Sequence, residues 1–262
     1  MSLVSVVGDG CTTTALGIAA AWSPDDPCPK NPCVVAELDP AGGCLSAWLD
    51  LPRSPGLAEV VASPAPHSWP AIDASVQHAR SGVDVLLAPT RSVEAVAVVH
   101  AAVTSVLPVL AALDSPVVIA DGGRLRGALS SLAAQSAVVV IAHRQTSGSS
   151  AAAALGLERV AELVSLLNVR AIPTVVALIG QRPYTADEVA EFVESDAVVA
   201  LADDPWAAAI LAGRAGSAIR LRRSPLMRSF VELAAVVSAR LRHAREFEGS
   251  LPALQRLDGD RV

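Results

Sequence analysis

Residues 8–19 of this 262-residue chain read GDGCTTTALGIA, and their types and spacing suit the holding of a phosphate. In the pattern G-x-x-x-x-G-K-[ST], glycines let the backbone wrap the anion, lysine reaches the β- and γ-phosphates, and the hydroxyl holds Mg²⁺. Here Gly10, Cys11 and Thr12 fall on the G-K-T places, so a thiol stands where the cation belongs. No nearby lysine substitutes, because the chain's single lysine is Lys30. Gly8 and Gly10, with Asp9 between them, permit a sharp turn, and the N-terminus of the following helix offers free N–H groups to an anion. Thr12, Thr13 and Thr14 supply hydroxyls for Mg²⁺ or for capping. The same residues also suit an ordinary tight β–α turn with threonine caps.

Two further segments carry acids at strand ends. Residues 34–61 close a strand with Glu37-x-Asp39 and continue into Pro40, Gly42 and Gly43. Two carboxylates spaced i, i+2 at the C-terminal end of a strand are expected to point the same way, into the crevice where open α/β sheets take ligands. There they would orient water or a metal, although Asp-Pro-x-Gly-Gly is also good turn chemistry. The third segment, SPVVIADGGRL (115–125), is an apolar strand ending in Asp121, a position from which an aspartate supports Mg²⁺ through water.

The elements that must position these residues follow from short apolar runs, each trailed by an alanine-rich stretch of helical length. That is the pattern of βα units around a parallel sheet. Strands are expected at Leu3–Val7, Cys33–Leu38, Val83–Ala88, Pro116–Ala120, Ala137–Ala142, Thr174–Ile179 and Ala197–Leu201. Helices are expected at Thr12–Trp22, Gly56–Ala62, Val93–Leu113, Leu125–Gln135, Ser149–Leu167, Thr185–Glu194, Pro205–Ala212 and Pro225–Glu246. Pro24–Pro32 and Ser63–Pro70 read as turn-rich loops. The expectation is an α/β fold with about seven strands and helices on both faces, one domain over residues 1–248 and a polar tail over 249–262.

Fifty-two per cent of the residues are hydrophobic, yet mostly as alanine and valine in runs far short of the ~20 that span a bilayer. Residues 128–142 come closest, interrupted by Gln135 and serines. Nothing at the start reads as a signal peptide, so a soluble, cytoplasmic protein without a transmembrane segment is expected. The four cysteines (Cys11, Cys28, Cys33, Cys44) lack the paired or histidine-flanked spacing of a zinc site and read as free thiols. A net charge of −6 argues against a wholesale nucleic-acid coat, but eight arginines and one acid, Glu232, lie between Arg214 and Arg245.

Together the ordered loop, Asp39 turn and Asp121 strand end resemble the ParA/MinD family of deviant Walker P-loop ATPases. That family's loop, K-G-G-x-G-K-T-T-x-A-x-x-L-A, is matched by VVGDGCTTTALGIA from Val6 to Ala19, with both family lysines lost, at Val6 and Cys11. Its D-x-D-x-x-G motif falls on Glu37–Gly42, its "G-L" on Gly56 and Leu57, and its Walker B aspartate on Asp121. VVALADDPWAAAILAG (198–213) looks like the family segment beside the nucleotide base. The strand before it runs into Gly180-Gln181-Arg182 rather than the family's asparagine.

The resemblance implies a three-layer P-loop NTPase fold binding ATP with Mg²⁺. Gly8, Asp9, Gly10, Cys11, Thr12 and Thr13 would cradle phosphate, and Asp203 and Pro205 would lie at the base. Thr12 and Asp121 would serve the metal, and Asp39 would orient the attacking water. It is closest to lysine-less, actinobacterial MinD-like proteins, related to septum-site and pilus-positioning (TadZ/CpaE-like) proteins. A homodimer with weak or absent hydrolysis is implied, acting with a protein partner in the placement of division, polar or pilus machinery. One alternative is an active Mg-dependent ATPase in which Arg124, Arg144 or Arg182 replaces the lysine, each of which also reads as a solvated surface arginine. Another is a DNA-segregation protein that binds non-specific DNA through the C-terminal arginines. Cys11 reads either as a redox-sensitive thiol, its pKa lowered by the helix N-terminus, or as a small buried filler. The stripe Leu226, Phe230, Leu233, Val237 and Leu241 reads as the face of a helix closing the sheet, rather than as a peripheral membrane contact.

Overall fold

The computed structural model describes residues 3–22, 33–63, 68–112, 116–124, 129–146, 149–195 and 197–259. The Pro24–Pro32 loop, with Cys28 and Lys30, lies outside them, as do 64–67 of the second loop and 125–128 at the start of the expected Leu125–Gln135 helix. Strands β1 (Leu3–Gly8), β2 (Cys33–Glu37), β3 (Gln77–His78), β4 (Asp84–Leu86), β5 (Val117–Asp121), β6 (Val138–Arg144), β7 (Thr174–Ile179) and β8 (Val198–Leu201) form one sheet. Their order is β3-β4-β2-β5-β1-β6-β7-β8. The helices are α1 (Cys11–Ala21), α2 (Leu45–Trp48), α3 (Leu57–Ala62), α4 (Trp69–Asp73), α5 (Ser92–Ala101), α6 (Leu107–Ala112), α7 (Leu129–Ala134), α8 (Ser150–Val169), α9 (Ala186–Val193), α10 (Pro205–Leu211), α11 (Ala218–Arg222) and α12 (Pro225–Gly259).

All pairings are parallel except β3–β4. The eighth strand is that antiparallel edge piece, two residues long and too short to show as an apolar run. Alternate residues of each strand bury on opposite faces. Val4, Val6, Val35, Ile119, Val138, Val140 and Val175 pack with Ala15, Leu16 and Ile18 of α1 and with Phe230, Leu233 and Val237 of α12. On the other face Leu3, Val34, Ala36 and Val118 meet Val99, Val103 and Leu107, while Val7, Val139, Ile141 and Val176 meet Leu157, Val160 and Val164. Burial on both faces explains why these strands read as continuous apolar runs. The result is a three-layer α/β fold with its central strands at the core.

Three short helices, α2, α4 and α11, lie where none was expected, and two of the expected helices depart from their reading. Between α5 and α6 the chain passes through a π turn over Ala102–Val106, where Thr104 and Ser105 hydroxyls donate to the carbonyls of His100 and Ala101. Pro108 just beyond it has no N–H for the helix ladder, and side-chain hydroxyls that compete for carbonyls loosen a helix further. The stretch Ser92–Leu110, rather than residues 128–142, is the one helical segment among the described residues long and apolar enough to cross a membrane. One of its faces is packed in the core through Ala95, Val99, Ala102, Val103 and Val106. The second departure is α12, which continues to Gly259, past the expected end at Glu246. Its stripe Leu226, Phe230, Leu233, Val237 and Leu241 is buried against the sheet. Phe230 lies directly against Gly17 of α1, where a Cβ would collide with its ring.

Register brings the acids and the loop to one edge. Val6 pairs with Asp121, Glu37 with Asp121, and Gly8 with Ala142, so β1, β2, β5 and β6 end side by side at their C-terminal ends.

Candidate functional site

The loop leaves β1 through Gly8, at φ 108°. Its N–H donates to the Gly123 carbonyl at 3.0 Å, and a Cβ there would overlap the Ala142 carbonyl oxygen. Gly10, at φ 92°, caps α1 with no side-chain hydrogen bond. Intrahelical bonding begins with the Thr14 N–H donating to the Gly10 carbonyl at 2.9 Å. The preceding amides are those a helix N-terminus leaves for an anion. Gly8, Asp9, Gly10, Cys11, Thr12 and Thr13 line a cavity of about 830 Å³ together with Asp39, Pro40, Ala41, Trp48, Val96, Arg124 and Arg144. That volume suits a small-molecule ligand.

Asp121 sits under this loop, 1% exposed. Burial pushes its carboxyl above the usual carboxylate range, against the hydrogen bonds from the Thr12 hydroxyl, the Cys11 thiol and the Gly123 N–H, the last at 3.2 Å. The Cys11 thiol is pushed far up, first by burial and then by the charge of Asp121. It is a neutral donor to a carboxylate, so of the two readings of Cys11 the small buried filler fits and the redox-sensitive thiol of lowered pKa does not. The burial outweighs the helix end here.

Glu37 and Asp39 do not face the cavity as a pair. β2 ends at Glu37, so strand alternation does not carry through to Asp39. Glu37 turns inward, 1% exposed, and accepts from the N–H groups of Cys44 at 2.5 Å, Leu45 at 2.9 Å and Ala88 at 3.0 Å. Burial raises its pKa, while those three amides pull it down. Gly43 is needed beside it, since a Cβ would collide with Glu37 and the Ala88 carbonyl. The neighbouring Cys44 thiol is pushed up to about 12 by burial and then by Glu37. Asp39 lines the cavity instead, its Oδ1 accepting from the Ala41 N–H at 2.8 Å and its carboxyl seated against Gly123.

No family model matches the chain, and no curated protein matches it in sequence. Solved structures match it in fold. The septum-site-determining protein MinD of Pyrococcus horikoshii, complexed with Mg-ADP, superposes with a TM-score of 0.69 at 14% identity, over 90% of this chain and 95% of that one. A ParA family ATPase of Chlorobium tepidum gives 0.66 at 16% identity, over 89% and 97%. A chain of the MinC:MinD cell division protein complex of Aquifex aeolicus gives 0.65 at 10% identity, over 91% and 96%. The fold is that of the ParA and MinD ATPases.

On this ParA/MinD-like scaffold the cations stand at the rim. Arg124 lies 3.9 Å from Asp9, both well exposed. Arg144, the last residue of β6, bonds Asp203 at 2.6 Å. His143 beside it is half-buried, and burial pushes its imidazole down despite nearby Asp9, so it adds no positive charge at neutral pH. Arg182 is elsewhere, in a second cavity of about 410 Å³ formed by Gly180, Gln181, Pro183, Thr185, Ala186 and Ala200. That loop is gripped by Gln145, whose amide bonds the Gly180 and Tyr184 carbonyls and the Tyr184 N–H.

Neither Asp203 nor Pro205 is among the residues lining the large cavity. Asp203 reaches it through Arg144, and Pro205 starts α10. Of the C-terminal arginines, Arg220 stacks over Trp206 at 4.7 Å and Arg228 donates to the Arg223 carbonyl at 3.0 Å. Sequence reasoning missed Trp48 and Val96, which line the cavity as exposed apolar residues and carry no motif.

Proposed function

We propose that this protein is a ParA/MinD-like positioning or partitioning protein that binds nucleotide with Mg²⁺ in the cavity and hydrolyses it weakly or not at all. A single observation carries the reading: the backbone cradle of Gly8, Gly10 and the α1 N-terminus is complete, while the residue at the lysine place is a buried, neutral Cys11 bonded to Asp121. The residues fit the metal. Thr12 and Asp121 join a hydroxyl and a carboxylate at the loop that lines the cavity, the donor set a hard divalent cation takes. Mg²⁺ bound there would screen phosphate charge that the loop itself does not.

Thr12 and Asp121 are thus the metal-side residues, the loop amides hold phosphate, and Asp39 faces the space where an attacking water would be oriented. Without the loop cation, transition-state charge is left to the rim. Charge contacts of this kind are worth roughly 10³–10⁵ in rate in phosphoryl transfer, so slow turnover is the expected consequence. Homodimer formation and a protein partner in division, polar or pilus machinery follow from the same resemblance, one neighbour of this fold being a MinC:MinD complex.

An active Mg-ATPase is the second reading, favoured by Arg124 and Arg144 in the cavity lining. Binding and turnover of Mg-ATP measured on one preparation separate the two. Micromolar binding with turnover absent or far below about 1 s⁻¹ supports the first. Turnover of about 1 s⁻¹ or faster that vanishes in Asp39→Ala supports the second, and absence of binding removes both.

A further inference from the structure

The cavity has lost its loop cation and kept its acids. Asp9 and Asp39 line it, with Asp121 behind Cys11 and Thr12, against two arginines. The two arginines differ. Arg124 belongs to the loop after β5, is 83% exposed, and meets Asp9 only at 3.9 Å. Arg144 is carried by a strand. Its backbone is fixed by pairing with Ile179 of β7 and by the next residue, whose N–H donates to the Ile179 carbonyl at 3.0 Å. Because Ala142 of the same strand pairs with Gly8, Arg144 emerges two residues beyond the start of the phosphate loop.

Its partner is just as specific. Two adjacent aspartates follow β8, and they divide the work. Asp204 caps α10, its Oδ1 accepting from the Ala207 N–H at 3.0 Å. Asp203 is left to hold Nη1 of Arg144 at 2.6 Å from outside the cavity lining. A guanidinium has five donors in a planar fork, so one bond to Asp203 leaves most of them for an anion.

We propose that Arg144 is the phosphate-facing cation of this cavity and that Asp203 is its resting counter-ion, the charge it shares or surrenders when a phosphate enters. The proposal rests on the reading of the cavity as a nucleotide site. It moves the cation from the loop to the end of β6, and it ties ligand occupancy to the β8–α10 turn, because Asp203 lies between β8 and α10. An entering phosphate competes with one exposed carboxylate, so removing that carboxylate strengthens binding.

The test is calorimetric titration of Mg-ADP into the wild-type protein and into Arg144→Gln, Arg144→Lys, Arg124→Gln and Asp203→Asn, at low and high salt, with melting temperatures as the folding control. Arg144→Gln is expected to weaken binding about tenfold or more and to flatten its salt dependence, because a charge-assisted bond to phosphate is lost. Arg144→Lys, which keeps the charge without the fork, falls in between. Asp203→Asn is expected to bind about two- to fivefold tighter, the scale of an exposed ion pair. Arg124→Gln changes affinity less than Arg144→Gln does. Binding by Arg144→Gln within about twofold of wild type overturns the proposal and leaves the nucleotide reading standing. Weaker binding by Asp203→Asn overturns the counter-ion role. If the wild-type protein takes up no Mg-ADP, the nucleotide reading falls and this proposal with it.

Discussion

The two flanks of the Gly8–Thr13 loop are built on opposite electrostatic plans. On the β5–β2 flank Asp121 and Glu37 are buried, raised in pKa by that burial, and saturated with donors. On the β6–β8 flank Arg144 and Asp203 form a half-exposed pair with hydrogen-bonding capacity to spare. The first flank is a brace, in which the acids hold the turns that shape the cavity. The second is an exchangeable contact. On the proposed reading, the architecture of the loop and the charge that meets the ligand belong to different flanks.

Removing the brace should have the largest effect. Glu37→Ala leaves the buried amides of Leu45 and Ala88 and the part-buried amide of Cys44 without that acceptor. At ~1–3 kcal/mol for each buried unsatisfied group, a loss of about 2–6 kcal/mol is expected in denaturant unfolding. A loss below about 1 kcal/mol would show that Glu37 is no brace.

Gly8→Ala comes next. It places a Cβ on the Ala142 carbonyl at a φ of 108°. A cost of about 2 kcal/mol is expected from strain and displacement, together with loss of nucleotide binding. Unchanged stability and binding would mean that the turn can relax.

A subtler effect sharpens the same contrast. Glu37→Gln keeps the shape and removes the titration. The folded-state pKa of Glu37 lies above its ordinary 4.5. The native wild type therefore keeps the proton longer than the unfolded chain, and that contribution to stability is full below pH ~4.5 and lost as pH rises through the folded value. The melting-temperature advantage of wild type over Glu37→Gln should narrow from pH 4 to pH 8. A widening gap would contradict a buried, burial-raised carboxyl.

The smallest effect belongs to the other flank. Asp203→Asn should cost no more than ~0.5 kcal/mol in stability, since the pair is exposed. A cost of ~2 kcal/mol would make it a second brace.

How much of this the sequence foretold depends on range. The loop was legible because Gly8, Gly10 and the threonines act within a few residues of one another, and Asp121 because it ends an apolar run. The pairing of Glu37 with Asp39 was misread because the i, i+2 rule holds only while the strand continues, and β2 stops at Glu37. Which of Asp203 and Asp204 would cap α10 and which would reach Arg144 is set by an approach across 59 positions, which no local pattern encodes. Trp48, on the unexpected α2, and Val96, on α5, line the cavity from segments distant from the loop in sequence. The two-residue β3 and the π turn fell below the length at which periodicity speaks.

The central claim is that the loop is a phosphate cradle whose cation has been replaced by a neutral thiol, and Cys11→Lys tests it most directly. Mg-ATP affinity is measured on wild type, on Cys11→Lys, and on Cys11→Ala as the control for losing the thiol. The account predicts binding about tenfold tighter in Cys11→Lys, the gain of a charge-assisted contact to phosphate, with Cys11→Ala close to wild type. Equal affinity in a folded Cys11→Lys protein would contradict it, because position 11 would then not face the phosphate at all.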